Sequence, residues 1–277
     1  MTIENEEIHH QTSIITTTYY PDLNDIRFLC ARDLCHLAAQ HKFHVFIVDD
    51  SPNEMVRRQL QGASLQYVHV TQQDRAQYSG KGGALRQAIR MAIEWFGENI
   101  IDVDKAAIVF TEPEKINLIE HVNNIVLPLL VGSADVVVPA RNDELFRETC
   151  PLEQYHSESF GNLYFNLLAK QFRGFQQLTD LGETNTTNLD WLFGPFAFKA
   201  SLAKSWLMYE GTSWDAQMIP YVRGVRNDNW RIMGVSIEYR HPVNMKQQEE
   251  GDRIWVAKRL YQLNLLFDLL GKNELTP

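Results

Sequence analysis

The chain has 277 residues, 44% hydrophobic and 22% charged, which marks a globular protein and argues against disorder. Lys plus Arg total 26 against 35 Asp plus Glu, a formal net charge of -9 that repels polyanions and argues against nucleic acid as the main partner. Three cysteines without metal-finger spacing, an acidic N-terminus without a signal pattern, and no run of about 18 apolar residues predict a cytoplasmic protein without a transmembrane segment.

In chain order, Thr12–Thr18 is a β-branched run that predicts a strand, and Asp25–His41 carries apolar residues at helical spacing. Val45–Val48 predicts a strand, Pro52–Gln61 a helix, Leu65–Val70 a strand and Gly83–Phe96 a helix. Ala107–Phe110 follows as strand, Ile116–Leu130 as helix and Asp135–Pro139 as strand. This alternation predicts βαβ units and an α/β fold with a mostly parallel sheet.

The second half loses the rhythm. Leu152–Phe172 predicts a helix, Thr179–Asp190 a polar loop and Trp191–Lys199 a compact apolar stretch. Leu202–Met208 and Ala216–Arg223 look helical, Trp230–Tyr239 is the last strand, and Asp252–Leu270 is an amphipathic terminal helix. The terminal stripe of Leu260, Leu263, Leu266, Phe267 and Leu270 would suit a homodimer as readily as the core. No repeat or Gly/Ser linker interrupts the chain, so residues 1–277 read as one domain. A nucleotide-binding half covers about 13–140, and an acceptor-shaping half with the C-terminal helix covers about 141–277.

Ligands of open α/β sheets sit outside the C-terminal ends of the strands, and four such ends here are polar. They are Thr16–Tyr19, Val48-Asp49-Asp50-Ser51, Ser79-Gly80-Lys81-Gly82-Gly83 before a helix, and Thr111-Glu112-Pro113-Glu114-Lys115. Gly80–Gly83 would let backbone amides approach a phosphate, with Lys81 adding a charge, or would simply be a glycine-rich turn. Asp49 and Asp50 could accept hydrogen bonds from a base or ribose, or cap the next helix. Glu112 and Glu114 could hold a hard divalent cation, or start a helix as acids favoured by its dipole.

A strand-end Thr, the Val-Asp-Asp tip, Gly-Lys-Gly-Gly-Ala-Leu before a helix and a paired-acid tip together resemble the GT-A (Rossmann-like) glycosyltransferases. The family-two-like group fits best, with the mannosylglycerate and glucosyl-3-phosphoglycerate synthase relatives. The resemblance covers about residues 13–140 and runs more loosely to Met245 through Gly194-Pro195-Phe196, Ser213-Trp214-Asp215 and Gly234–Pro242. It implies that Thr17 and Asp49 hold the base and ribose and that Lys81 sits by the donor. Glu112 would approach the ribose or metal, and Glu114 and His241 would bind a divalent cation, Mn2+ or Mg2+. Asp215 falls where inverting relatives place a general base, or else caps the following helix. The other histidines lack evident partners in the sequence.

The implied activity is transfer of a sugar from a nucleotide-diphosphate donor, UDP- or GDP-linked, to a hydroxyl acceptor that is small and soluble. Two departures stand out. Glu-Pro-Glu replaces the Asp-x-Asp of the group, and Arg141–Asp190 matches nothing familiar. A non-catalytic nucleotide-sugar binder is the alternative that the altered acids suggest. A sugar-phosphate nucleotidyltransferase fits less well, because Thr16–Tyr20 has neither glycine nor base.

Overall fold

The computed structural model describes residues 5–176, 185–186, 188–242 and 253–271. The first part of the predicted polar loop, 179–184, with residue 187, and the stretch around Met245 fall outside the described residues. The chain runs through α1 (Asn5–His10), β1 (Thr12–Thr18), α2 (Ile26–Gln40), β2 (His44–Asp49), α3 (Glu54–Gln61), β3 (Val68–Gln72) and α4 (Gly80–Glu98). Next come β4 (Ala107–Phe110), α5 (Val122–Leu130), β5 (Val136–Arg141), α6 (Asp143–Thr149), α7 (Leu152–Ala169) and α8 (Arg173–Gln176). It closes with β6 (Asn185–Thr186), β7 (Phe196–Lys199), α9 (Ala203–Leu207), α10 (Asp215–Asn227), β8 (Ile232–Ile237) and α11 (Arg253–Gly271).

The chain divides into two compact units, residues 1–137 with 195–217, and residues 138–194 with 218–277. In the first unit the strand order is β3-β2-β1-β4-β7-β5. Strands β1 to β4 are mutually parallel, with Thr18 beside Asp49 and Ile15 beside Phe110. Strand β7 is antiparallel to both β4 and β5, so the sheet is mixed. Ile14, Ile15, Val45, Ile47 and Val109 are buried, as expected for parallel strands covered on both faces. Ala84, Leu85, Ala88, Ile89, Ala92 and Phe96 form the buried face of α4, which packs on β1 and β2. In the second unit β8 pairs antiparallel with β6, and Asn142 N donates to Ile237 O.

Several details differ from the sequence expectation. Helix α3 is capped by Asn53, whose side chain accepts from Met55 N, while Asp50 pairs instead with Arg75. Helix α4 begins three residues before its predicted start, which puts the glycine-rich segment inside the first turn. Residues Ile116–His121 form a 3-10 segment ahead of α5. His44 Nδ1 lies 3.0 Å from His69 Nε2 across β2 and β3, so these two histidines do have a partner. Of the α11 stripe, Leu266 and Leu270 are buried, whereas Leu260 and Phe267 are exposed.

Candidate active site

The tips of β1 and β2 are locked together by one carboxylate. Asp49 is fully buried and accepts hydrogen bonds from Thr18 Oγ1 at 2.7 Å, Ser51 Oγ at 2.6 Å, Ser51 N at 3.2 Å and Arg57 Nη1 at 3.2 Å. A buried charge needs this many donors to offset its lost hydration. Thr17, on the other side of the strand, is half-buried. Asp49 therefore organises the two tips from beneath, and Thr17 is the more accessible residue of the pair.

The β4 tip is a β-turn. Lys115 N donates to Glu112 O at 3.0 Å, and Pro113 takes the position where its fixed φ suits such a turn. The turn folds Lys115 back so that its Nζ reaches Glu112 Oε2 at 2.8 Å. From α4, Lys81 Nζ reaches Glu112 Oε1 at 3.0 Å. Each oxygen of Glu112 is thus held by a lysine. Glu114 is half-buried, and burial followed by the nearby Glu112 charge pushes its carboxyl up from the usual range. Tyr20 lies by it, with its phenol held well above the ordinary value by burial and then by Glu114.

The start of α4 is pressed against the segment 209–215. Gly82 N donates to Thr212 O at 3.0 Å, and Arg86 Nη1 donates to Tyr209 O and Gly211 O at 2.6 and 2.7 Å. A Cβ on Gly82 would stand 2.1 Å from Gly211 O, so only glycine permits this approach. Gly80 has φ of +61°, and a Cβ there would meet Thr212 O at 2.5 Å. The Gly82 amide is therefore committed to protein.

Asp215 closes the same segment. Its carboxylate accepts from Tyr209 OH at 2.7 Å, Ser213 Oγ at 2.5 Å and Ser213 N at 3.0 Å. Burial works against the charge, but the Ser213 and Tyr209 hydroxyls, with backbone amides, hold the carboxyl below its usual range.

In the second unit, Arg141 at the end of β5 is the hub of a buried cluster. Its Nε and Nη2 grip Asp190 at 2.5 and 2.9 Å, and Nη2 also reaches Glu158 at 2.5 Å. The guanidinium lies 3.6 Å from the Phe146 ring centre and 4.8 Å from that of Phe193. Arg259 also bonds Glu158, and Asn162 Nδ2 donates to Asp190 at 2.7 Å. His241, which is buried, places Nε2 3.0 Å from Arg141 Nη1. A guanidinium has donors only, so this ring nitrogen must be the acceptor. Burial opposes the Arg141 charge, yet Asp190 and Glu158 raise its pKa above the ordinary arginine value.

No family model and no curated protein matches the sequence. Solved structures do match in shape. A glucosyl-3-phosphoglycerate synthase from Mycobacterium tuberculosis, in complex with Mn2+, UDP-glucose and glycerol 3-phosphate, aligns at TM-score 0.56 and 13% identity, covering 98% of this chain and 85% of that one. The same synthase with Mn2+, UDP and glucosyl-3-phosphoglycerate aligns at 0.54 and 11%, covering 99% and 86%. The chain thus shares the fold of that synthase over nearly its whole length. A further structure, named only as a mycobacterial protein, aligns at 0.55 and 15%, covering 98% and 79%. The α/β class expected from the strand–helix alternation is thereby established, with β7 as the antiparallel insertion the sequence did not announce.

Another structure of that synthase is in complex with Mg2+ and UDP. The donor set of this chain fits a divalent cation poorly. Among the described residues no group of three or more His, Cys, Asp or Glu is placed to hold a metal. Glu112 spends both oxygens on lysines, and His241 Nε2 accepts from Arg141. The residues that the sequence undervalued are Lys115, Arg57 and Arg141. Lys115 was signalled by its i+3 spacing from Glu112 across a proline; Arg57 and Arg141 meet their partners only through tertiary structure.

Proposed function

We propose that this GT-A chain transfers a sugar from a nucleotide-diphosphate donor to a small hydroxyl acceptor that bears an acid or phosphate group. The observation that carries this is the contact of Lys81 with Glu112, which brings the start of α4 and the tip of β4 together at the ends of parallel strands. In the GT-A synthase of similar shape the solved complexes hold UDP-glucose with glycerol 3-phosphate or phosphoglyceric acid. On this proposal Thr17 contacts the base or ribose, and Asp49 supports that contact through Thr18, Ser51 and Arg57. Lys81 faces the diphosphate, and Glu112 orients Lys81 and Lys115. The donor nucleotide is UDP or GDP, the setting is the cytoplasm, and no described helix is long and apolar enough to cross a membrane. No step is assigned to the divalent cation that the family resemblance implied at Glu114 and His241, because the fit described above is poor.

Asp215 is the candidate base that would deprotonate the acceptor hydroxyl. Its hydrogen bonds to Ser213 and Tyr209 favour the ionised form, but they also occupy it. That occupation favours a second reading, a nucleotide-sugar binder without transfer. Incubating the protein with UDP- and GDP-hexoses, with and without 3-phosphoglycerate or glycerol 3-phosphate, separates the two. Acceptor-dependent release of nucleoside diphosphate is expected; donor binding without any release under every combination would leave only the binder.

A further inference from the structure

We infer that the cationic element which meets the donor diphosphate in this chain is the lysine pair Lys81 and Lys115, not a divalent metal ion. This rests on the nucleotide-donor reading above and specifies how its most highly charged part is bound. Two ammonium groups converge on Glu112 from independent elements, Lys81 from the first turn of α4 and Lys115 from the turn after β4. A metal ligated by Glu112 would have to displace both ammonium groups, or sit beside them against like-charge repulsion. A diphosphate instead finds them already gathered. The Lys81 side chain is 38% exposed, so it can turn from the carboxylate to a phosphate oxygen, whereas that of Lys115, at 12%, is held in place. Glu112 keeps the pair together in the absence of ligand, when two neighbouring cations would otherwise repel.

His241 points the same way from separate geometry. Because Arg141 can only donate, His241 Nε2 accepts and Nδ1 carries the ring proton. One ring nitrogen is hydrogen-bonded through its lone pair and the other is protonated, so neither offers a lone pair to a metal while Arg141 holds. Arg141 is fixed by Asp190, Glu158 and two aromatic rings, so its withdrawal would leave Asp190 buried without a cation and Glu158 with Arg259 alone.

Calorimetric titration of the full chain with UDP and with GDP, in EDTA and then in excess Mn2+, tests the assignment. We expect at least one nucleotide to bind in EDTA, with affinity changed by less than about threefold on adding Mn2+. Lys81→Met and Lys115→Met should each weaken the diphosphate about tenfold or more, and the nucleoside monophosphate far less. Binding that requires Mn2+ and disappears in His241→Ala would overturn the inference while leaving the nucleotide reading intact. Metal-free binding untouched by both lysine variants would overturn the lysine assignment alone. Absence of binding in both conditions would remove the nucleotide reading and the inference with it. Circular dichroism verifies that each variant is folded. Independently, 15N chemical shifts of His241 should report the Nδ1–H tautomer; an Nε2–H tautomer would sink the second line of support.

Discussion

Glu112 between Lys81 and Lys115, and Arg141 between Asp190 and Glu158, are ionic clusters of similar chemistry in different surroundings. The first is partly open to water, whereas in the second the Arg141 and Glu158 side chains are 1% exposed. Water screens and competes in the open cluster, so its pairs contribute little to stability and can be exchanged for a ligand. In the buried cluster the ions were desolvated on folding, and removing one strands the others. The open arrangement suits binding and the closed one suits holding a backbone and a tautomer in place.

The largest expected effect comes from breaking the closed cluster. Arg141→Ala leaves Asp190 and Glu158 in the interior without their central cation and should cost about 3–5 kcal/mol in urea denaturation. Arg141→Lys restores the charge without the fork and should recover only part of that loss. A loss below about 1 kcal/mol for Arg141→Ala would erase the distinction between the two clusters.

Asp49 gives the next largest effect, because it is as closed as Arg141 although it lies in the unit with the open cluster. Asp49→Ala removes the acceptor of four hydrogen bonds and should lower stability by about 2–4 kcal/mol, measured by the same denaturation. Burial thus changes the expectation for this residue. The sequence offered Asp49 as an acceptor for a base or ribose, and an unchanged midpoint with lost nucleotide affinity would favour that direct role.

Gly82→Ala probes the wall behind Lys81. The new Cβ would collide with the Gly211 carbonyl, so a loss of about 1–3 kcal/mol is expected, together with weaker nucleotide binding as Lys81 shifts. Gly97→Ala, in the same helix with nothing within 4 Å, should instead stabilise by up to about 1 kcal/mol. Thermal melts of the pair compare close approach with plain helix propensity.

The smallest stability effect belongs to the open cluster. Lys81→Met should change the unfolding free energy by no more than about 0.5 kcal/mol, because its pair with Glu112 is partly solvated. A larger destabilisation would mean that Lys81 is structural and would weaken its assignment to the donor.

The sequence by itself determined the strand–helix alternation and hence the α/β class. Thr12–Thr18 is β-branched at all positions but Ser13, and Ala107–Phe110 is apolar throughout, as suits strands buried on both faces. It also located polar strand ends at Asp49 and Glu112, where charged residues close the hydrophobic runs of β2 and β4. Direction was not legible in Phe196–Lys199, because so short a strand looks the same parallel or antiparallel. Nor was the use made of each polar group. Gly82 is glycine for the sake of Gly211, 129 positions later, and Asp49 is saturated by residues from β1 and α3. The acidic tip, legible as two candidate metal ligands, becomes one lysine-bridged carboxylate and one half-buried neighbour once α4 delivers Lys81. Residue type is local, but whether a carboxylate meets water, an ammonium or an apolar wall depends on chain segments far away in sequence, and only the tertiary structure brings those segments together.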